Sequence, residues 1–200
     1  DVVAEVEHLA GHRLLDTVHA RDAVADGDDT SDFGDVHLDG EAAYLVADLL
    51  EQHDRSQFEI YAYSYGPQDA SPMRQRIVRA VDHFVDIAWD PDDVAAARIR
   101  RDAIDILIEI KGYTVGDRLT IMAHRPCDIQ VTWLGYPGTT GATFVDYLIA
   151  DPYIIRDGEE DTCSERVLRL PHSYQPNDRK REVALPLSRA DYGLPEQGFV

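Results

Sequence analysis

The sequence predicts an α/β fold, a mainly parallel sheet with helices packed on it, and three observations carry that prediction. From Phe58 onward, apolar runs of strand length alternate with stretches of helical spacing. Glycine and proline punctuate the joins between them. With 44% hydrophobic and 28% charged residues in 200, the chain sits in the globular class and can bury a sizeable core.

The elements follow in order. Val2 to Ala20 admits an amphipathic helix, and the very acidic Asp22 to Asp35 shows no strand, so residues before Ser31 are expected to be loosely packed. A helix is expected around Tyr44-Leu45. Phe58 to Tyr63 alternates as a half-buried strand, and Gly66-Pro67 and Ser71-Pro72 mark the loop after it. Met73, Ile77 and Val81 recur on one face of a helix. Phe84 to Ile87 reads as a short strand. Asp90-Pro91 supplies a cap and a first-turn proline for a helix running to Ile99. Ile104 to Ile110, Ile129 to Leu134, Val145 to Ala150 and Val167 to Leu170 are the remaining strands. The stretch from Pro176 to Pro195 reads as a polar, proline-punctuated connector, and Gly198-Phe199-Val200 as the start of another strand.

Strand and helix alternating in this way make a Rossmann-like lobe, and such sheets bind ligands at the carboxyl ends of their strands. Lys111-Gly112-Tyr113-Thr114 and Leu134-Gly135-Tyr136-Pro137 both emerge there. A glycine lets backbone approach a ligand without a Cβ in the way, although Gly-Tyr-Pro-Gly alone equally describes a tight structural turn.

Composition excludes several function classes. A net charge of -19 argues against a nucleic-acid partner, which requires clustered Lys and Arg. Lysine occurs only at Lys111 and Lys180; adaptation to high salt and base-composition bias both account for this. No apolar run approaches the roughly 20 residues of a membrane span. The opening residues carry Glu5, Glu7 and Asp16 and no basic region, unlike a secretory signal, so a cytosolic protein is expected. Cys127 and Cys163 read as reduced thiols, Cys127 as a packing residue without a His and acid partner. No histidine pair has metal-ligand spacing with an acidic third partner, so no metal is expected.

One string is far more specific than a turn. His124-Arg125-Pro126, Ile129-Gln130-Val131 and Trp133 through Gly141 resemble the HRPAPIQVxWLGYPGTxG signature of the O-linked N-acetylglucosamine transferase family. Asp54 to Gly66-Pro67, Asp105 to Thr114, Val145-Asp146-Tyr147, Ala150-Asp151-Pro152 and Ser164 to Pro171 resemble further family segments in the same order, and the similarity spans about Ser31 to Val200.

The resemblance implies the N-terminal lobe of a two-lobed GT-B glycosyltransferase. Residues 1-30 would be an N-terminal segment, 31-175 the lobe, and 176-200 a connector toward a second lobe not contained in these residues. Family members move N-acetylglucosamine from UDP-GlcNAc to Ser or Thr hydroxyls of acceptor proteins with inversion, without metal or other cofactor. A helical repeat array, which the family often carries upstream, is not among these residues. Leu134, Gly135 and Pro137 match positions that contact the donor sugar, and Tyr113 and Thr114 match positions on the acceptor side. Ser31-Asp32-Phe33-Gly34 resembles the SSDFGNH motif, assigning Asp32, and His37 at a displaced position, to proton handling or positioning; the reaction needs an acceptor for the hydroxyl proton.

Two departures qualify the match. The family's apolar RVGYVS strand aligns with Ala25-Asp26-Gly27-Asp28-Asp29-Thr30, so the first strand is expected to be lost. None of His8, His12 and His19 stands in the family's HSxxLxxL context. Two other readings remain: a UDP-glucose-dependent enzyme of the same family that modifies asparagine, and a non-catalytic, protein-binding remnant of the lobe.

Overall fold

The computed structural model describes residues 14–17, 41–66, 70–181 and 188–199. Seven strands form one sheet: β1 (Leu14–Thr17), β2 (Tyr61–Ser64), β3 (His83–Asp86), β4 (Ile106–Glu109), β5 (Ile129–Thr132), β6 (Tyr147–Ala150) and β7 (Arg166–Arg169). Their order is β3-β2-β1-β4-β5-β6-β7, and every neighbouring pair is parallel. The α/β class with a parallel sheet is therefore as the sequence predicts.

One expectation is corrected. The first strand is present, at Leu14–Thr17, inside the stretch read as an amphipathic helix and assigned to a separate N-terminal segment. It is an interior strand between β2 and β4, paired to β4 from Leu14↔Ile106 to Thr17↔Glu109. The sequence expectation looked for it at Ala25 to Thr30, whereas the strand lies about ten residues earlier, at Leu14-Leu15-Asp16-Thr17. A four-residue strand with one apolar pair gives too short a period to separate strand from helix by pattern.

The helices α1 (Glu41–Gln52), α2 (Pro72–Ala80), α3 (Asp92–Arg101) and the short α4 (Thr120–Ala123) cover both faces. On one face Ala43, Val46, Ala47 and Leu50 of α1 and Ile77 and Ala80 of α2 pack on Ile106, Ile108, Ile110 and Val131. Full burial of a residue such as Val46 or Leu50 contributes about 1.5–3 kcal/mol. On the other, Ala95, Ala96 and Ile99 of α3 with Ile121 and Met122 pack on Tyr63, Tyr65 and Leu107. β4 feeds both cores because successive side chains of a strand alternate.

Helix starts are locally encoded. Ser71 Oγ accepts the Arg74 amide at 3.1 Å ahead of Pro72, a capped start with proline in the first turn. α3 differs from the sequence expectation: Pro91 itself occupies the cap without a side-chain bond, Asp92 and Asp93 supply first-turn acids that suit the helix dipole, and Asp90 pairs with Arg98 at 3.0 Å. Gly198 and Phe199 do not form a strand.

Candidate functional site

The sheet order reverses between β1 and β4. Chain leaving β1 goes toward β2 on one side, and chain leaving β4 toward β5 on the other, which opens a crevice at the carboxyl ends. The loops that follow β4 and β5 lie at that end, and they interlock. Gly135 N–H donates to the Ile110 carbonyl at 3.0 Å, and a Cβ on Gly135 would stand 2.6 Å from that oxygen and 2.7 Å from the Lys111 carbonyl. In return Gly112, at φ +59°, leaves no room for a Cβ, which would meet Tyr136 Cβ at 2.4 Å. Each loop carries a glycine where the other crosses it.

Leu134 sits between these contacts at φ +73°. A bulky residue in the left-handed region is strained and persists only where its surroundings over-determine it, a condition that clusters at functional sites. Its side chain is 6% exposed and belongs to the core on the α1 side. The family resemblance places Leu134 among ligand contacts; the structure gives its side chain to packing, while Gly135, Tyr136 and Pro137 after it are exposed.

Tyr113 and Thr114 come to the same place. The Tyr113 hydroxyl donates to the Thr140 carbonyl at 2.6 Å, and its ring meets Tyr136 edge-on with centroids 5.7 Å apart. Both rings remain largely open to solvent, Tyr113 at 50% and Tyr136 at 37%. Thr114 N–H donates to Gly112 O at 2.8 Å, closing the turn that presents Tyr113. The five residues Leu134, Gly135, Pro137, Tyr113 and Thr114 thus form one contiguous rim. Asp32 and His37 lie outside the described residues.

Buried carboxylates that sequence reasoning passed over hold this rim. Glu109, the last residue of β4, accepts the Lys111 amide at 2.8 Å and the Gly112 amide at 2.5 Å. Glu165 accepts from the Thr139 hydroxyl and the Thr140 amide, each at 2.7 Å, and from the Thr140 hydroxyl. Burial pushes its pKa upward, but those hydroxyl and amide donors win and hold it below the ordinary carboxylate range. Asp151, following β6, accepts the amides of Tyr153, Ile154 and Tyr174 at 2.8–2.9 Å. Here too the backbone donors outweigh the desolvation and lower the pKa. A glutamate ending the apolar run Ile106-Leu107-Ile108 was the available signal for the first of these, since a charge at the end of an interior strand must be partnered.

The first half of the signature has a different role. Arg125 Nη1 binds Asp146 at 2.9 and 3.0 Å and the Phe144 carbonyl at 3.0 Å, while Asp146 accepts the Gln130 amide at 2.8 Å. These contacts lie at the starts of β5 and β6, at the end of the sheet opposite the rim. His124-Arg125-Pro126 therefore fixes the start of the strand whose far end carries the site.

Cys127 is buried, its thiol donates to the Ile129 carbonyl at 3.1 Å, and burial pushes its pKa up to about 11, all as a packing residue requires. Among the described residues no group of three His, Cys, Asp or Glu side chains is arranged to hold a metal ion. Nor is any helix among them long and apolar enough to cross a membrane.

The family model for Glycosyl transferase family 41 matches residues 15–197. The chain belongs to glycosyl transferase family 41. The match begins within β1, at Leu15. Among curated relatives, the probable UDP-N-acetylglucosamine–peptide N-acetylglucosaminyltransferase SEC of Arabidopsis thaliana is 39% identical over 177 residues, which is 86% of this chain and 18% of that protein. The UDP-N-acetylglucosamine–peptide N-acetylglucosaminyltransferase of Caenorhabditis elegans is 38% identical over 72% of this chain and 12% of its own length. A mutant of the Thermobaculum terrenum O-GlcNAc transferase superposes with a TM-score of 0.69 at 29% identity, covering 84% of this chain and 29% of that one. The chain thus spans less than a fifth of the length of these two curated relatives.

Proposed function

We propose that this chain is the N-terminal catalytic lobe of a protein O-GlcNAc transferase, which moves N-acetylglucosamine from UDP-GlcNAc to Ser or Thr hydroxyls of acceptor proteins with inversion. The observation that carries the reading is the interlocked rim after β4 and β5, beside the sheet's switch point. The loop of Leu134, Gly135 and Pro137 is tied through Gly135 to the end of β4, and the loop that carries Tyr113 and Thr114 is tied through Tyr113 to Thr140, which supports this placement. The names of the relatives, which describe peptide acceptors and a UDP-sugar donor, support the substrate classes.

In this reading the Leu134–Pro137 backbone lies against the donor sugar, and close approach is possible because Gly135 has no side chain. Tyr113 and Thr114 flank the acceptor. Asp32 and His37 carry over from the family motif as the groups that receive or orient the hydroxyl proton when oxygen attacks the anomeric carbon. Inversion follows from a single displacement in which the nucleotide departs from the opposite face. The donor pyrophosphate is neutralised by groups of a second lobe, at a helix N-terminus and a lysine. The lobe proper extends from Leu14 to about residue 175, with residues 176–200 leading toward that second lobe. Unpaired thiols at Cys127 and Cys163 agree with a cytosolic setting.

The test is UDP-GlcNAc hydrolysis, and transfer to a Ser/Thr peptide, by the complete gene product. Addition of one N-acetylhexosamine to a hydroxyl residue supports the proposal. Loss of both activities in a folded protein overturns it, and a hexose on asparagine would redirect it to the UDP-glucose branch.

A further inference from the structure

After β7 the chain turns back across the rim and then runs to the flank of α1, anchored at both ends. At the rim, the two polar groups of the Tyr174 backbone are taken by residues that emerge from neighbouring strands: its amide donates to Asp151 at 2.9 Å, and its carbonyl accepts the Trp133 indole N–H at 2.8 Å. At the far end, Arg179 binds Asp48 with Nε at 2.6 Å, Lys180 binds Glu51 at 2.6 Å, and Arg76 bridges Glu51 and Asp178. The Asp48 and Asp178 carboxylates are almost wholly covered, at 4% side-chain exposure each, while the Arg179 and Lys180 side chains that meet this flank remain largely exposed.

Trp133 links this segment to the site. Its indole is in the α1-side core, its amide donates to Glu109 O at 2.8 Å, and its carbonyl accepts the Gly135 amide at 3.0 Å. The next residue is Leu134, at φ +73°. That conformation needs fixed neighbours on both sides. Ile110 holds the loop through Gly135, and the Tyr174 carbonyl holds it through the Trp133 ring.

We propose that residues 171–181 act as a strap that sets the position of the Leu134–Pro137 loop, with Trp133 as the positioning residue through which it acts. The proposal rests on reading that loop as the donor-sugar wall. Slackening the strap at Asp48–Arg179, on the α1 flank, frees the indole, lets Leu134 relax toward negative φ, and draws the loop back from the sugar. Trp133 touches no substrate in this scheme.

The experiment compares the full-length protein with its R179Q, R179K and W133F variants, by hydrogen exchange across Leu134–Gly138 and by donor kinetics with UDP-GlcNAc. R179Q is expected to speed exchange both in 174–181 and in Leu134–Gly138 and to raise the donor KM about fivefold, the size of one lost hydrogen bond, with kcat changed less. R179K, which keeps the charge, restores part of both. W133F keeps an aromatic ring without the donor and is expected to loosen the loop while exchange at Asp178–Lys180 stays slow. The proposal is overturned if R179Q loosens 174–181 but leaves loop exchange and KM unchanged, or if W133F leaves both unchanged. Should the wild-type protein turn over no UDP-GlcNAc, the functional reading fails, while the exchange arm still decides whether the strap holds the loop.

Discussion

Gly135 rests directly on the carbonyl of Ile110, bonded to it through its amide at 3.0 Å and too close for any side chain to intervene. The contact joins the ends of β4 and β5, beside the β1–β4 position where the sheet order reverses. It explains why a glycine stands there whether or not a sugar is bound. The fold requires a glycine here, whatever the loop binds.

Gly135→Ala tests that order of dependence. The added methyl would meet two backbone carbonyls, which cannot turn aside as a side chain can, so the loop itself must shift. A loss of about 1–3 kcal/mol is expected from overpacking. Urea unfolding should show it, and donor turnover should fall further than the stability change accounts for, because the displaced segment is the one proposed to lie against the donor. A variant of wild-type stability with normal turnover would contradict the interlock.

Glu165→Gln probes the second support of the rim. The carboxylate takes three donors from Thr139 and Thr140, and bonds to a charged group contribute about 1.5–3 kcal/mol each before context reduces them. Glutamine keeps the shape but cannot accept at every one of these positions. Because the folded pKa is depressed, the stabilisation is fully present above the unfolded value of about 4.3 and is lost as pH falls through the lower folded value. Wild type should therefore exceed E165Q by a constant margin from pH 7 to about pH 5, and the margin should shrink at more acid pH. A margin that stays constant down to pH 2 would show that the charge of Glu165 has no part in it.

The sequence disclosed the sheet where its strands are long and apolar, and lost it where they are short and mixed. Ile106-Leu107-Ile108 and Ile129-Gln130-Val131 read directly as interior strands because both faces of a parallel sheet are covered. Leu14-Leu15-Asp16-Thr17 did not, since an aspartate and a threonine in four residues imitate a helix edge. Its place depends on β2 and β4 beside it, which no local window contains. The rim shows the same division. Gly135 and Tyr113 were legible as loop residues at strand ends, whereas Glu165, Asp151 and Tyr174 act across 23 to 26 residues of chain. Their function lies in pairings that only the folded sheet creates.

Cys127 and Cys163 should differ sharply toward a thiol reagent. The Cys127 thiol is covered, bonded to Ile129 O, and kept protonated by burial, with its pKa at about 11. The thiolate is the reactive form, so at pH 8 the native protein should label at the partly exposed Cys163 and leave Cys127 unmodified until urea unfolds the lobe. Rapid labelling of both at low denaturant would mean that the α3-side core opens around Cys127.

Salt should stabilise this lobe although its described residues include many ion pairs. There are 38 acids against 19 Lys and Arg, so the folded chain carries net self-repulsion at low ionic strength. Exposed pairs such as His83–Glu59 and Arg156–Glu159 contribute little, and the better pairs, Arg76 with Asp178 and Arg118 with Asp92, are sheltered from screening. Raising KCl from about 0.1 M to about 1 M shortens the screening length from about 10 Å to about 3 Å, which removes long-range repulsion while leaving those sheltered contacts of 2.5–2.6 Å largely intact. The melting temperature should therefore rise across that range in circular dichroism. A fall would place the balance with the exposed pairs instead, and the acidic composition would then have no explanation in salt tolerance.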